Sequence, residues 1–255
     1  MKRKALMVVS AVLLMLFVTC LIFGICKLLA AKREYDEGRS EYEKLEETAV
    51  RPTEKEEWPR LDIDLASLQE INPDLVCWLD IPCTEISYPV VQGDTNEQYL
   101  RTTFEGKSNV AGAVFIDCRN SASLGDRNII IYGHRMNDGT MFTQLKNYTN
   151  EQFLSEHGEI HIYTESGVAI YTVFSVQRTD TDGDCYKLLF ESDKEYCIWL
   201  RLMSDASIAP CRRSIGAGVI TLSTCVNTDS YERLVVQAVR TKFIENRGGD
   251  AYSVG

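Results

Sequence analysis

The chain has 255 residues, enough for one domain of ordinary size with appended segments. Hydrophobic residues make up 45% of it and charged residues 25%, the proportions of a globular protein. Its formal net charge is -10, and the first 31 residues hold four bases and no acid, which leaves 23 bases against 37 acids. Because nucleic-acid affinity comes largely from basic side chains that neutralise phosphates, this acidic remainder argues against nucleic acid as a partner.

An apolar segment lies at the N-terminus, where residues 5–26 are uncharged throughout. As a helix rising 1.5 Å per residue, this segment reaches about 30 Å, the hydrocarbon thickness of a bilayer. A cleaved signal peptide is the alternative, but its apolar core would be shorter, and Leu29-Ala30-Ala31 is a poor cleavage site. We therefore predict a single-pass signal anchor in the cell membrane, with residues 1–4 cytoplasmic and the acidic bulk of the chain extracellular.

A charged segment follows the apolar one. Residues 32–57 contain ten acids and six bases, and so few apolar residues that burial of a core is not expected. We predict a solvated stalk over residues 27–57, partly helical through neighbouring Glu and Lys side chains and broken at Arg51-Pro52. The folded domain is predicted over residues 58–245, and residues 246–255 form a C-terminal tail.

The predicted domain is rich in short β-strand patterns. Eight segments contain β-branched or aromatic residues between Gly, Pro, Asn or Asp, at 76–81, 85–91, 113–116, 128–132, 159–163, 168–177, 218–222 and 234–242. Short helices are predicted at 64–72, at 150–157 and after Ser192, where Ser-x-x-Glu forms a capping box. Eight closely spaced strands with few helices predict a mainly β protein with inserted helices, in the form of a closed or nearly closed β-barrel.

Nine cysteines raise the question of metal sites and disulfides. Cys20 and Cys26 lie in the apolar segment, and the other seven are Cys77, Cys83, Cys118, Cys185, Cys197, Cys211 and Cys225. No C-x-x-C occurs, so zinc-knuckle and thioredoxin-type sites have little support. Seven is an odd number, so at least one thiol is left over in an exported domain even if the others pair.

A calcium site is the other metal alternative. Three acids alternate around Gly183, but the EF-hand pattern with its terminal Glu is absent; the acids are Asp180, Asp182 and Asp184. A solvated loop is therefore the favoured interpretation, and no metal site is predicted.

The chain has only three histidines, which shortens the search for a reactive site. His157 falls at the end of a predicted helix, where a cation stabilises the helix. His161 alternates with apolar neighbours, which predicts a surface or cross-strand position. His134 follows the apolar segment 129–132 and Gly133, where a buried strand gives way to a loop. Loop residues held by a rigid strand are well placed for chemistry, although a structural histidine stays open on this pattern alone.

Cys225 has the same setting as His134. It ends the strand predicted at 218–222, and Arg233 enters the next strand eight residues later. At the mouths of adjacent antiparallel strands, the two side chains would face one another across a turn. A buried cysteine beside a solvated arginine stays open on spacing alone.

Together these residues resemble the sortases, whose three signature segments are matched by residues 221–225, by Tyr132-Gly133-His134 and by Arg233. Further segments resemble class B sortases in particular: Asn72-Pro73-Asp74 leading to Trp78, Tyr88 to Gln92, Asn96 with Tyr99-Leu100, Gly112 to Asp117 with Arg119-Asn120, and Gly139 to Phe142. A helix at about 191–204 also fits class B, and the likeness spans roughly residues 60–243.

This resemblance implies a membrane-anchored cysteine transpeptidase on a closed, eight-stranded sortase-type β-barrel. Cys225 would attack the carbonyl of a sorting-signal peptide bond and form a thioacyl-enzyme. His134 would protonate the departing amine and deprotonate the incoming one. Arg233 would steady the substrate and the oxyanion, with help from the backbone N–H of Val226. The residues implied to line the peptide groove are Asn96, Leu100, Thr181, Tyr186 and Ser223.

The resemblance also implies partners. They are surface proteins or pilins with a C-terminal sorting signal, an amine acceptor such as a peptidoglycan precursor, and the membrane through the N-terminal helix; no cofactor is implied. Asn227 stands where some family members carry an acid, so no third, triad-like carboxylate is predicted. The alternatives are a thiol peptidase that transfers to water and a non-enzymatic surface-binding domain.

Overall fold

One long helix, α1 (Lys2–Ala49), opens the chain in the computed structural model, which describes residues 2–53, 61–211, 218–226 and 231–246. It is the one helix among the described residues that is long and apolar enough to cross a membrane, and none of its apolar segment is buried. The helix continues without a break from the apolar segment into the charged one.

The charged half of α1 packs on the folded domain. Tyr42, Leu45 and Ala49 are each 5% exposed or less and belong to the main hydrophobic core. The prediction that residues 27–57 form a solvated stalk that buries no core is therefore wrong for this part of the helix. Gly38, Tyr42, Leu45 and Ala49 recur every three or four residues and share one helix face, a pattern that the charged composition conceals.

A small sheet and a short helix lead into the barrel. Strands β1 (Val50–Pro52) and β2 (Leu61–Ile63) pair antiparallel, and neither was predicted. The predicted domain start at residue 58 lies outside the described residues. Helix α2 (Leu65–Ile71) begins as predicted, because the Asp64 side chain accepts a hydrogen bond from the Ser67 N–H.

Eight strands close into a barrel in the order β10-β8-β7-β3-β4-β5-β6-β9. They are β3 (Leu75–Asp80), β4 (Ser87–Val91), β5 (Val114–Ile116), β6 (Asn128–Tyr132), β7 (Glu159–Thr164), β8 (Gly167–Thr179), β9 (Val219–Cys225) and β10 (Arg233–Glu245). All neighbours are antiparallel except β4–β5 and β6–β9, which are parallel. Each predicted strand segment overlaps one of these eight strands, and the predicted closed eight-stranded barrel is confirmed.

Helices fill the longer connections of the barrel. Helix α3 (Glu151–Glu156) and helix α4 (Asp193–Asp205) were predicted, whereas the 3-10 helices Phe142–Thr149 and Asp184–Tyr186 were not. Ser192 caps α4 by accepting a hydrogen bond from the Glu195 N–H. The apolar stripe of α4 packs into a second core cluster, so its predicted packing role is confirmed; the stripe is Tyr196, Trp199, Leu200 and Met203.

Candidate active site

Cys225 and Arg233 face one another at one end of the barrel. They are register partners on β9 and β10, which places their Cβ atoms about 5 Å apart. The prediction that these two residues face one another from adjacent antiparallel strands is confirmed. Asn227, which lies between them in the sequence, is outside the described residues.

His134 reaches the same place from β6, which runs parallel to β9. Tyr132 is in register with Ser223, and the Gly133 N–H donates a hydrogen bond to the Ser223 carbonyl at 3.2 Å. His134 and Cys225 each lie two residues beyond this pair, so both lie at the same end of these two parallel strands.

A cleft of about 460 Å³ contains all three of these residues. The five predicted groove residues line it as well: Asn96, Leu100, Thr181, Tyr186 and Ser223. The sequence interpretation missed four further lining side chains, which are Glu97, Phe115, Tyr132 and Thr224. Tyr132 belongs to the Tyr132-Gly133-His134 signature segment, and that position was the signal that could have identified it as a lining residue.

The ring of His134 is held by a backbone group. Its Nε2 lies 2.7 Å from the Leu100 carbonyl oxygen. Because a carbonyl only accepts hydrogen bonds, Nε2 carries the proton, and Nδ1 is the ring nitrogen that remains for proton exchange. The half-exposed ring is thus oriented before any substrate arrives.

Aromatic rings form one wall of the cleft. Tyr132 stacks on Tyr186 at a centroid distance of 6.4 Å, and Phe115 lies 5.3 Å from Tyr132. The Tyr186 hydroxyl and Ser223 Oγ are 2.8 Å apart. Burial raises the pKa of Tyr186 to about 12, against opposing effects of Ser223 and Arg233, so its hydroxyl stays neutral in the cleft.

A buried carboxylate fixes this wall from behind. The Tyr132 hydroxyl donates to Asp117 Oδ2 at 2.9 Å, and Arg119 donates to both Asp117 oxygens at 2.8 Å. Burial alone would raise the pKa of Asp117, but the hydrogen bonds from Arg119 and Tyr132 outweigh it and hold that pKa below its usual value. Asp117 is therefore a charged anchor for the Tyr132 ring.

Val226, the predicted backbone donor to the oxyanion, has another partner in the structure. Its N–H donates to the Glu232 carbonyl at 3.0 Å, so this donor is already used. The physical reason is that hydrogen bonding between the two strands continues one residue past Cys225 rather than ending there.

The other two histidines lie outside the cleft. His161 is in register with Asp80 and fully buried, with Asp80 and Glu159 oxygens each 3.5 Å from a ring nitrogen. Its predicted cross-strand position is confirmed, and the alternative of a surface position is wrong. His157 is the C-cap of α3, as predicted at a helix end.

Comparisons of the sequence with known proteins all indicate the same family. The sequence matches the Sortase domain family over residues 79–241. It is 31% identical to sortase B of Staphylococcus aureus over 242 residues, which are 93% of this chain and 98% of that protein. It is 36% identical to sortase B of Listeria monocytogenes over 180 residues, 68% of this chain and 72% of that protein.

A solved structure agrees with these relatives. The Staphylococcus aureus sortase B-substrate complex superposes with a TM-score of 0.71 at 31% identity, over 82% of this chain and 99% of that chain. The chain therefore belongs to the sortase family, and it is a class B sortase, a cysteine transpeptidase.

Proposed function

We propose that this class B sortase cleaves a sorting-signal peptide in surface proteins or pilins and transfers the acyl group to an amine, such as that of a peptidoglycan precursor. The observation that carries the proposal is the meeting of Cys225, His134 and Arg233 in one cleft. The side chain of each supplies one part of an acyl transfer: a nucleophile, a proton donor and acceptor, and a cation.

The first half-reaction forms the thioacyl-enzyme. The Cys225 thiolate attacks the scissile carbonyl carbon, and the C–N bond breaks as the tetrahedral intermediate collapses. His134 gives a proton to the departing amine. The hydrogen bond from His134 Nε2 to Leu100 supports Nδ1 as the nitrogen from which this proton leaves.

The second half-reaction reverses these roles with a new amine. The incoming amine attacks the thioester carbon, His134 takes its proton, and the Cys225 thiolate leaves as the new amide bond forms. Water in place of the amine would make the protein a thiol peptidase.

Arg233 is the proposed donor to the oxyanion in both half-reactions. Its guanidinium is charged at all relevant pH values and presents several N–H donors. A preorganised donor of this kind is typically worth about 2.7–4 kcal/mol of transition-state stabilisation. The Val226 N–H, used by Glu232, takes no part in this proposal.

The anchor completes the proposal. Residues 5–26 would span the membrane, with residues 1–4 in the cytoplasm and the catalytic domain over 58–245 outside the cell. Support comes from the exposed apolar half of α1, which has the length and composition of a membrane span. Residues 247–255 of the proposed 246–255 tail lie outside the described residues.

The test uses the full chain in detergent micelles. Fluorescently labelled peptides from the C-terminal sorting signals of surface proteins of the same organism are incubated with and without triglycine, and the products are identified by mass spectrometry. A peptide–triglycine amide is the expected product. Product that ends only in a free carboxylate would identify a thiol peptidase. Binding without turnover would identify a binding domain.

A further inference from the structure

Two loops that border the active-site cleft also contact α1. The Leu100 loop, residues 101–113, leaves the cleft directly after Leu100, and the His134 loop, residues 135–141, leaves it directly after His134. Leu100 and His134 are the two partners of the hydrogen bond that orients the imidazole, at 2.7 Å. The donor residue and the acceptor residue of this hydrogen bond are therefore each followed by a loop that packs on the same helix.

The Leu100 loop is hydrogen-bonded to α1 at both ends. Glu34 Oε1 accepts a hydrogen bond from the Val110 N–H at 3.0 Å. The buried Tyr42 hydroxyl donates to the Gly112 carbonyl at 2.6 Å and accepts from the Phe104 N–H at 3.3 Å. These contacts hold the loop along more than two turns of the helix.

The same loop folds back onto the segment that carries Leu100. The Ala113 N–H donates to the Tyr99 carbonyl at 3.0 Å, and the Asn109 N–H donates to the Arg101 carbonyl at 3.0 Å. Gly112 has a φ of +56°, and a Cβ there would lie 2.7 Å from the Leu100 carbonyl oxygen. A displacement of the loop by α1 would therefore reach the acceptor of the His134 hydrogen bond.

Gly38 lies where α1 approaches this loop closely. Glycine weakens a helix interior relative to alanine, and at Gly38 close packing accounts for its presence. A Cβ on Gly38 would lie 2.9 Å from Asn109 Oδ1 and 3.3 Å from the Ala111 Cβ. In contrast, a Cβ on Gly24, in the apolar half of the same helix, would have nothing within 4 Å.

Arg39 connects α1 to the His134 loop. Its Nη2 donates to the Asp138 carbonyl at 2.9 Å and lies 3.3 Å from Asp138 Oδ2. Asp138 lies in a loop that closes on itself, because Arg135 pairs with Met141 in an antiparallel bridge. The next N–H, of Phe142, donates to the His134 carbonyl at 2.9 Å. The backbone of His134 is thus tied to the loop that Arg39 holds.

We propose that residues 34–49 of α1 act as a brace for the active site, with Arg39 as a positioning residue for His134. The helix holds both loops in place, and so it keeps the imidazole on the Leu100 carbonyl with Nδ1 directed to its proton-transfer task. This proposal rests on the proposed function, since it assigns His134 the role of acid and base beside Cys225.

The test measures the reactivity of Cys225 without any sorting peptide or amine. The full chain in detergent is treated with iodoacetamide between pH 5 and 9, and carbamidomethylation of the Cys225 peptide is followed by mass spectrometry. A His134→Ala variant defines the profile of the thiol without its imidazole. We expect Arg39→Ala to move the wild-type profile toward that of His134→Ala, with a rate at pH 7 lower by about three- to tenfold.

Matched variants distinguish a loss of His134 positioning from a general loss of stability. Arg39→Lys keeps the cation and should restore most of the rate, and Asp138→Asn, a milder change, should shift the profile less and in the same direction. Arg33→Ala is the control, because within the described part of the chain Arg33 pairs only with Glu37 on α1 and its side chain is 81% exposed. Melting temperatures of all variants are measured alongside, and the rates are compared at temperatures where each is folded.

Each outcome decides between the two proposals. An Arg39→Ala profile equal to the wild type, with His134→Ala shifted, would overturn the brace and leave the proposed function intact. An unchanged His134→Ala profile would overturn the role of His134 and the brace with it. If the pH profiles of alkylation are as expected but the wild-type chain forms no peptide–triglycine amide, the proposed function alone is contradicted.

Discussion

The active-site cleft and the face of α1 that packs on the barrel are joined by the Leu100 and His134 loops, yet they are built differently. The cleft presents half-exposed reactive side chains, such as Cys225 and His134, at the ends of strands. The α1 face buries Tyr42, Leu45 and Ala49 in the main core. Catalytic chemistry and structural support are therefore carried by different side chains, and substitutions should separate the two.

The largest expected effect is a loss of catalytic activity with almost no change in stability. Cys225→Ala should lower the rate of peptide–triglycine formation by at least about 10³-fold, because it removes the proposed nucleophile. Its free energy of unfolding should change by less than about 0.5 kcal/mol, since Cys225 is half-buried at a strand end. Cys211→Ala is the matched control and should keep the activity; transfer that survives in Cys225→Ala would contradict the mechanism.

The second-largest effect is a loss of stability when the packing of α1 on the barrel is weakened. Leu45 is 4% exposed in the core, so Leu45→Ala should cost about 2–5 kcal/mol of unfolding free energy, measured by chemical denaturation of the full chain in detergent. Leu202→Ala, on α4 and 55% exposed in the native chain, should cost less than about 0.5 kcal/mol. Similar losses for the two variants would show that this half of α1 does not pack on the barrel.

A smaller effect tests how finely the cleft wall is built. Tyr186→Phe removes the hydroxyl that lies 2.8 Å from Ser223 Oγ, with a loss of about 1 kcal/mol, or about fivefold in kcat/KM for the sorting peptide. Ser223→Ala should have a similar effect, and the double variant should lose no more than either single one. Additive losses would mean that the two hydroxyls contact the peptide independently.

The smallest effect concerns the charge of the α1 interface. Partial burial, with Asp80 and Glu43 nearby, raises the pKa of Glu46 above its usual value, and a hydrogen bond with Ser87 opposes this. A carboxyl with a raised folded-state pKa contributes stability that is present below its unfolded pKa and lost as pH rises through the folded pKa.

Melting temperatures between pH 4 and 7 check this sign. Acidification across the pKa of Glu46 should favour the folded state of the wild type through this group, and Glu46→Gln should remove that contribution. Glu47→Gln removes one acid at the next position of the helix and is the matched control for the loss of a single charge. A Glu46→Gln curve parallel to the wild type at every pH would contradict the assignment.

Local sequence patterns predicted all eight barrel strands, because their β-branched residues and turn signals act over a few neighbours. They missed the packing of α1, since a face of Gly38, Tyr42, Leu45 and Ala49 is masked by the charges between them. They also missed the 3-10 helix Phe142–Thr149, which follows Met141 at a φ of +54° and is set by tertiary contacts.

In the candidate site, too, contacts between residues close in sequence were predicted from local patterns, whereas contacts between distant residues were not. The meeting of Cys225 and Arg233 follows from the antiparallel pairing of consecutive strands and was predicted from spacing. The approach of His134 depends on the parallel pairing of β6 with β9, which are far apart in sequence, so only the family resemblance indicated it. The partner of the Val226 N–H, the Glu232 carbonyl, was not predicted, because it depends on where the strand pairing ends.

Because α1 is unbroken, it sets the distance between the proposed membrane span and the catalytic domain. Arg39 lies 13 residues beyond Cys26, the last residue of the proposed membrane span, which is about 20 Å along the helix axis. A flexible stalk would let the catalytic domain sample many heights above the bilayer, whereas a docked helix holds it at one. With the proposed anchor, the proposed acceptor amine would have to reach the height set by the helix, and inserting or deleting whole turns before Glu34 would change which acceptors are within range.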